Sequence, residues 1–131
     1  MPRVVPVPEL RKVGFLLEMP TSERVEFLNS HRRNVPHSDE ERMIHYLESG
    51  SLCGVVPGVE EDPLGDTPTM IGAPNIYTDG FWAWPETIIY YLREYHLLLP
   101  EDFVKHMRDR DFQCPSNLDV SGMTLEGEVA L

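Results

Sequence analysis

The chain has 131 residues, about one domain, and 41% of them are apolar, which is ordinary for a globular protein. Its 22 acidic residues outweigh 11 Lys and Arg and leave a formal charge of -11. That balance argues against a nucleic-acid binder, whose footprint is basic, and against docking on an anionic membrane, whereas a cationic protein partner would be steered inward. At this length a buried core forms without metal or disulfide.

In chain order, Pro8 to Val13 reads as a short helix closed by Gly14, followed by the apolar run Phe15-Leu16-Leu17. Thr21 is placed to cap a helix over Ser22 to Asn29, with Val25 and Leu28 on one face. Ser38-x-x-Glu41 has the form of a capping box, and Asp39, Glu40 and Glu41 put negative charge at the positive end of the helix dipole. Met43, Ile44 and Leu47 make that helix's apolar stripe, and Gly50 ends it. Ser51 to Val56 reads as a strand. Val59 to Pro74, rich in Pro, Gly and acid, reads as a loop carrying Glu60, Glu61, Asp62 and Asp66.

Asn75 to Thr78 and Phe81 to Trp84 read as two strands joined by Asp79-Gly80, a pair that suits a type I′ hairpin turn. Pro85 fits the first position of the next helix. There, Ile88, Tyr91, Leu92 and Tyr95 share one side, and Glu86, Tyr90, Arg93 and Glu94 the other. Pro100 restarts the chain into a helix from Glu101 to about Asp109, with Phe103, Val104 and Met107 as its apolar face. Beyond Cys114 periodicity vanishes. The expected architecture is α+β: a three-stranded antiparallel sheet packed against about five short helices, as one domain over residues 1–113 with an extended tail over 114–131.

No metalloprotease helix motif, phosphate loop or nucleophile elbow occurs. Glu41/His45 and Asp102/His106 have metal-ligand spacing, but such pairs are common on solvated helix faces. Asp109 and Asp111 read as a solvated turn, His31-Arg32-Arg33 as a basic group pairing with acid, and Cys53 as a small buried residue. The two cysteines form no disulfide framework. No cofactor, metal or catalysis is expected. With neither a signal-peptide stretch nor a membrane span, the chain reads as cytoplasmic.

Aromatic residues are the concentrated feature: Tyr77, Phe81, Trp82, Trp84, Tyr90, Tyr91 and Tyr95. Alternation sends Trp82 and Trp84 to one sheet face, as core, and Phe81 to the other. Tyr77, Phe81 and Tyr90 are candidates for an exposed binding surface.

The segment Thr78-Asp79-Gly80-Phe81-Trp82-Ala83-Trp84-Pro85, with Tyr90-Tyr91, Leu99-Pro100-Glu101-Asp102-Phe103 and the upstream Tyr46-Leu47-Glu48-Ser49-Gly50, resembles a group of small bacterial proteins abundant in actinobacteria. That group carries a TDG-x-W-x-W hairpin, and it is similar to the immunity proteins of polymorphic toxin systems. The resemblance covers roughly residues 38 to 110. It implies a non-catalytic protein that blocks a basic cognate toxin by stoichiometric occlusion. On this reading Asp79, Gly80, Trp82 and Trp84 are structural. Asp39, Glu40, Glu60, Glu61, Asp62 and Asp66 face the toxin, and Tyr77, Phe81 and Tyr90 anchor it. The alternative is a small-molecule-binding or regulatory module with an aromatic pocket under the hairpin.

Overall fold

A computed structural model describes residues 10–67, 69–115 and 117–120. The chain forms β1 (Arg11–Lys12), a 3₁₀ turn (Leu16–Glu18), α1 (Thr21–His31), α2 (Glu40–Glu48) and β2 (Ser51–Gly54). It continues through β3 (Glu60–Asp62), β4 (Thr69–Gly72), β5 (Ile76–Thr78), β6 (Trp82–Pro85), α3 (Ile88–Tyr95) and α4 (Glu101–Asp109).

The α+β class holds, but the expected three strands and five helices do not. The described residues form four α-helices, a four-stranded mixed sheet in the order β1-β6-β5-β2, and a separate β3-β4 hairpin. Two misread segments account for the difference. The expected helix from Pro8 is, in its described part, strand β1, which runs parallel to β6 with Arg11 opposite Trp82 and Lys12 opposite Ala83. The expected loop over Val59 to Pro74 contains the β3-β4 hairpin.

The β5-β6 hairpin forms with Tyr77 opposite Trp84 and Thr78 opposite Ala83. Its turn is not type I′, which needs positive φ at both central residues. Gly80 has φ 96°, and Asp79 is not in the positive region. The Asp79 side chain shapes the turn instead, its Oδ1 accepting from the amides of Phe81 (2.9 Å) and Trp82 (2.7 Å). Pro85 ends β6, and α3 starts at Ile88. Helix α2 starts at Glu40 without a side-chain cap, so the expected capping box is absent. His37 Nδ1 meets the Asp39 amide at 3.0 Å in its place.

β6 is buried along its length because both faces of the sheet are covered. On one face Trp82 and Trp84 join Tyr46, Leu47, Ile88, Tyr91 and Phe103 in the main core. Trp84 Nε1 donates to the Leu47 carbonyl at 3.1 Å, which satisfies the indole inside that core. On the other face Ala83 packs with Leu10, Phe15 and Ile76 in a smaller core. Gly50 lets the end of α2 approach β6 closely: a Cβ there would lie 2.7 Å from Trp84 Cζ2.

Of the expected tail, residues 116 and 121–131 lie outside the described residues. The part that is described turns back on the sheet, where the Leu118 amide donates to Ser51 Oγ at 3.1 Å. No helix among the described residues is long and apolar enough to cross a membrane.

Candidate functional site

The expected acidic contact residues divide by burial into two groups. Glu40, Glu60 and Asp62 are buried, as is Asp79, which was expected to be structural. A buried carboxylate must be hydrogen-bonded or paired, and each of the four has a partner within the fold.

Asp79 is the centre of the first network. Its side chain is fully buried, and Oδ1 takes the two turn amides described above. Oδ2 accepts from the Tyr46 hydroxyl at 2.5 Å and pairs with His106 Nε2 at 2.7 Å. Arg110 approaches His106 Nδ1 at 3.1 Å, so a neutral ring with its proton on Nε2 satisfies both neighbours. Burial, then the bond to Asp79, pushes the Tyr46 hydroxyl far above the ordinary tyrosine range. Arg110 also lies over the Phe81 ring, 4.6 Å from its centroid. The Asp79-Gly80 pair therefore ties the hairpin to α2 and α4 as well as making a turn.

The second network holds the β3-β4 hairpin on α3. Asp62 Oδ2 accepts from Tyr90 at 2.8 Å and from Tyr95. Its Oδ1 accepts from the Leu64 amide at 2.9 Å. Thr87 donates to Glu60 Oε1 at 2.9 Å. Burial and the Asp62 contact push Tyr95 up to about 12 and Tyr90 higher still. Burial, then Glu60, raises Tyr91 as well. Glu40 pairs with His96 Nδ1 at 2.8 Å. Glu40, Glu60 and Asp62 are thus withdrawn from the expected contact surface.

The remaining predicted residues are accessible but scattered. Asp39 is half-buried and meets Arg42 at 3.4 Å. Glu61 and Asp66 are exposed on the β3-β4 hairpin. Phe81 is 54% exposed, as the alternation predicts, and sits at the tip of its hairpin beneath Arg110.

Tyr77 and Tyr90 do come together. They line an open groove of about 800 Å³ bounded by the end of α2, by β4 and β5, and by α3. Ile71 and Ile89 supply apolar wall, and Glu48, Glu86, Arg93 and Glu94 supply charge. Arg93 is spent on Glu48 at 2.7 Å. Glu86 and Glu94 are exposed and carry no ion pair among the described residues. The groove is therefore net acidic. Burial, then the Glu86 charge, raises the Tyr77 hydroxyl.

Neither metal-spaced pair converges on a site. Asp102 meets Arg11 and His106 meets Asp79, both at 2.7 Å. Among the described residues no group of three or more His, Cys, Asp or Glu could hold a metal ion. Burial raises both thiols, Cys114 to about 12 with help from the Asp79 charge. A thiol so placed is a poor nucleophile near neutral pH. Asp109 accepts from Lys105 at 2.6 Å, which lowers its pKa on an exposed helix face. Where an aromatic pocket could have lain under the hairpin, Trp82, Trp84 and Phe103 fill the space.

The chain matches no protein-family model, no curated protein and no solved structure.

Sequence reasoning missed Glu48, Glu86 and Glu94 as site residues. The signal was present: Glu86, Tyr90, Arg93 and Glu94 share the polar side of α3, and the α2 terminus brings Glu48 beside them.

Proposed function

We propose that this protein is a non-catalytic binding protein of the immunity type, which blocks a basic protein partner by stoichiometric occlusion. The observation that carries this reading is the open groove where Tyr77 and Tyr90 lie beside Glu86 and Glu94. Tyrosines present broad, rigid surface at low entropic cost, and unpaired acids at their edge attract and orient a cationic partner. The formal charge of -11 adds long-range steering. The resemblance to immunity-like bacterial proteins points the same way.

This assignment moves the contact surface away from the 58–66 segment. Glu60 and Asp62 hold the β3-β4 hairpin in place, and β4 of that hairpin supplies Ile71 and Gly72 to the groove wall. The contact acids are Glu86 and Glu94, with Glu48 beside them. The test is affinity capture with tagged wild-type protein and with the Glu86→Lys/Glu94→Lys double variant, at two salt concentrations. The proposal expects one partner at one-to-one stoichiometry, rich in Lys and Arg, weakened by salt and lost with the variant. Equal capture by both proteins, or no partner with either, overturns it. Both positions are exposed, so the variant should fold.

A further inference from the structure

The four-stranded sheet ends in two unlike edges. At one, β1 presents Arg11 and Lys12, and charge of this kind guards an edge against further pairing. At the other, β2 carries Ser51-Leu52-Cys53-Gly54, and no charged residue falls between Glu48 and Glu60. Among the described residues the backbone of β2 bonds only to β5, so its outer N–H and C=O groups have no backbone partner. The Leu118 amide approaches this edge but bonds the Ser51 side chain, not its backbone. One irregularity, a register shift between Leu52 and Gly54, interrupts the pairing with β5.

The sheet also runs out of cover toward β2. Leu52 stands opposite Tyr77, and Tyr77 opposite Trp84, so the three share one face. Along that row Trp84 is fully buried, Tyr77 half-buried and Leu52 49% exposed. Val55, just beyond the strand, is 74% exposed. Tyr77 belongs both to this row and to the acidic groove.

We propose that β2 is a docking edge, where an extended segment of the cationic partner adds to the sheet as a fifth strand. This rests on the reading of the groove as the contact surface for a basic protein. Open backbone donors and acceptors specify an extended strand, and its side chains at alternate positions supply selectivity. On the exposed face the added strand meets Leu52 and then the Tyr77 side of the groove, where Glu48 also lines the wall. An apolar residue opposite Leu52, flanked at alternate positions by Lys or Arg, fits that face. A second copy of this chain fits less well, because two chains of formal charge -11 repel and so short a strand offers little area to offset it. The same field draws a basic strand in, and the cations of β1 turn it away from the other edge.

The probe is a blocked peptide, Thr-Lys-Thr-Val-Thr-Lys-Thr, compared with the same peptide N-methylated at every internal amide, which keeps the charge and loses the backbone donors. Both are titrated into the full-length protein at low salt and followed by amide chemical shifts. The expected result is saturable binding of the first peptide, with shifts centred on Leu52, Cys53 and Gly54, weakened about tenfold by N-methylation through the lost hydrogen bonds. Leu52→Lys/Val55→Lys, at two exposed positions, should fold and weaken it by at least as much. Shifts confined to Tyr77, Glu86, Tyr90 and Glu94, with equal affinity for both peptides, would overturn edge docking and leave the groove reading standing. Edge shifts that Glu86→Lys/Glu94→Lys leaves undiminished would support edge docking and count against the groove. Concentration-dependent shifts at Leu52 to Gly54 in the protein alone, or no binding of either peptide, would overturn the proposal.

Discussion

Replacing Asp79 by Asn tests how the fold is held. Asn keeps the Oδ1 acceptor for the Phe81 and Trp82 amides, so the turn itself should survive. It puts an amide NH₂ where Oδ2 accepts from Tyr46 at 2.5 Å and pairs with His106 at 2.7 Å. Tyr46 can rotate its hydroxyl and accept. His106 cannot adapt so easily, because moving its proton to Nδ1 would face it against the Arg110 guanidinium. Two charge-assisted bonds at roughly 1.5–3 kcal/mol each put the loss near 3–5 kcal/mol after partial recovery at Tyr46. That is a large part of the 5–15 kcal/mol typical of a domain. Tyr46→Phe removes one of the two donors and should cost about half as much. Urea denaturation followed by Trp fluorescence measures both, since Trp82 and Trp84 are buried in the core the network supports. A cost below about 1 kcal/mol for Asp79→Asn would refute the view of this carboxylate as a tie between the hairpin and two helices.

Glu60 has its pKa raised by burial above its ordinary 4.5, so the folded state holds this proton more tightly than the unfolded state. Its contribution is fully present below 4.5 and is lost as pH rises through the raised folded value. Glu60→Gln should flatten that part of the stability–pH curve, as read by thermal melts. All five tyrosines are raised, Tyr95 to about 12. Spectrophotometric titration of folded protein should therefore show no tyrosine ionising near the ordinary 10, with stability lost as pH climbs through the raised values. Gly50→Ala forces a methyl group to 2.7 Å from Trp84 and should destabilise the protein by about 1–3 kcal/mol, measured by urea denaturation.

The helical part of the fold was legible because its signals are local. Met43, Ile44 and Leu47, or Phe103, Val104 and Met107, repeat at helical spacing and are buried as that spacing predicts. The hairpin was legible from Asp79-Gly80 between two aromatic strands. What failed depends on long-range pairing. Arg11 and Lys12 are too few to show a strand period, and they form β1 only because β6 offers a parallel edge. Glu60-Glu61-Asp62 has poor strand propensity and looks solvated. It becomes a strand because Tyr90, Tyr95 and Thr87 of the α3 region need acceptors for their hydroxyls, and Asp62 and Glu60 supply them. A buried tyrosine cluster following an acidic stretch was the available clue. In the candidate site, Tyr77 and Tyr90 were legible as surface aromatics. Glu86 and Glu94 stood beside Tyr90 in the helical pattern, but Glu48 was not legible, since it comes from a helix 45 residues away from Arg93.

Native mass spectrometry of the tagged protein, isolated at low salt from the organism that encodes it, is the deciding measurement. Occlusion by an acidic, aromatic groove requires a one-to-one complex with a single basic protein that dissociates as ionic strength rises. Recovery of the protein alone, or only with copies of itself, at the lowest salt would contradict it.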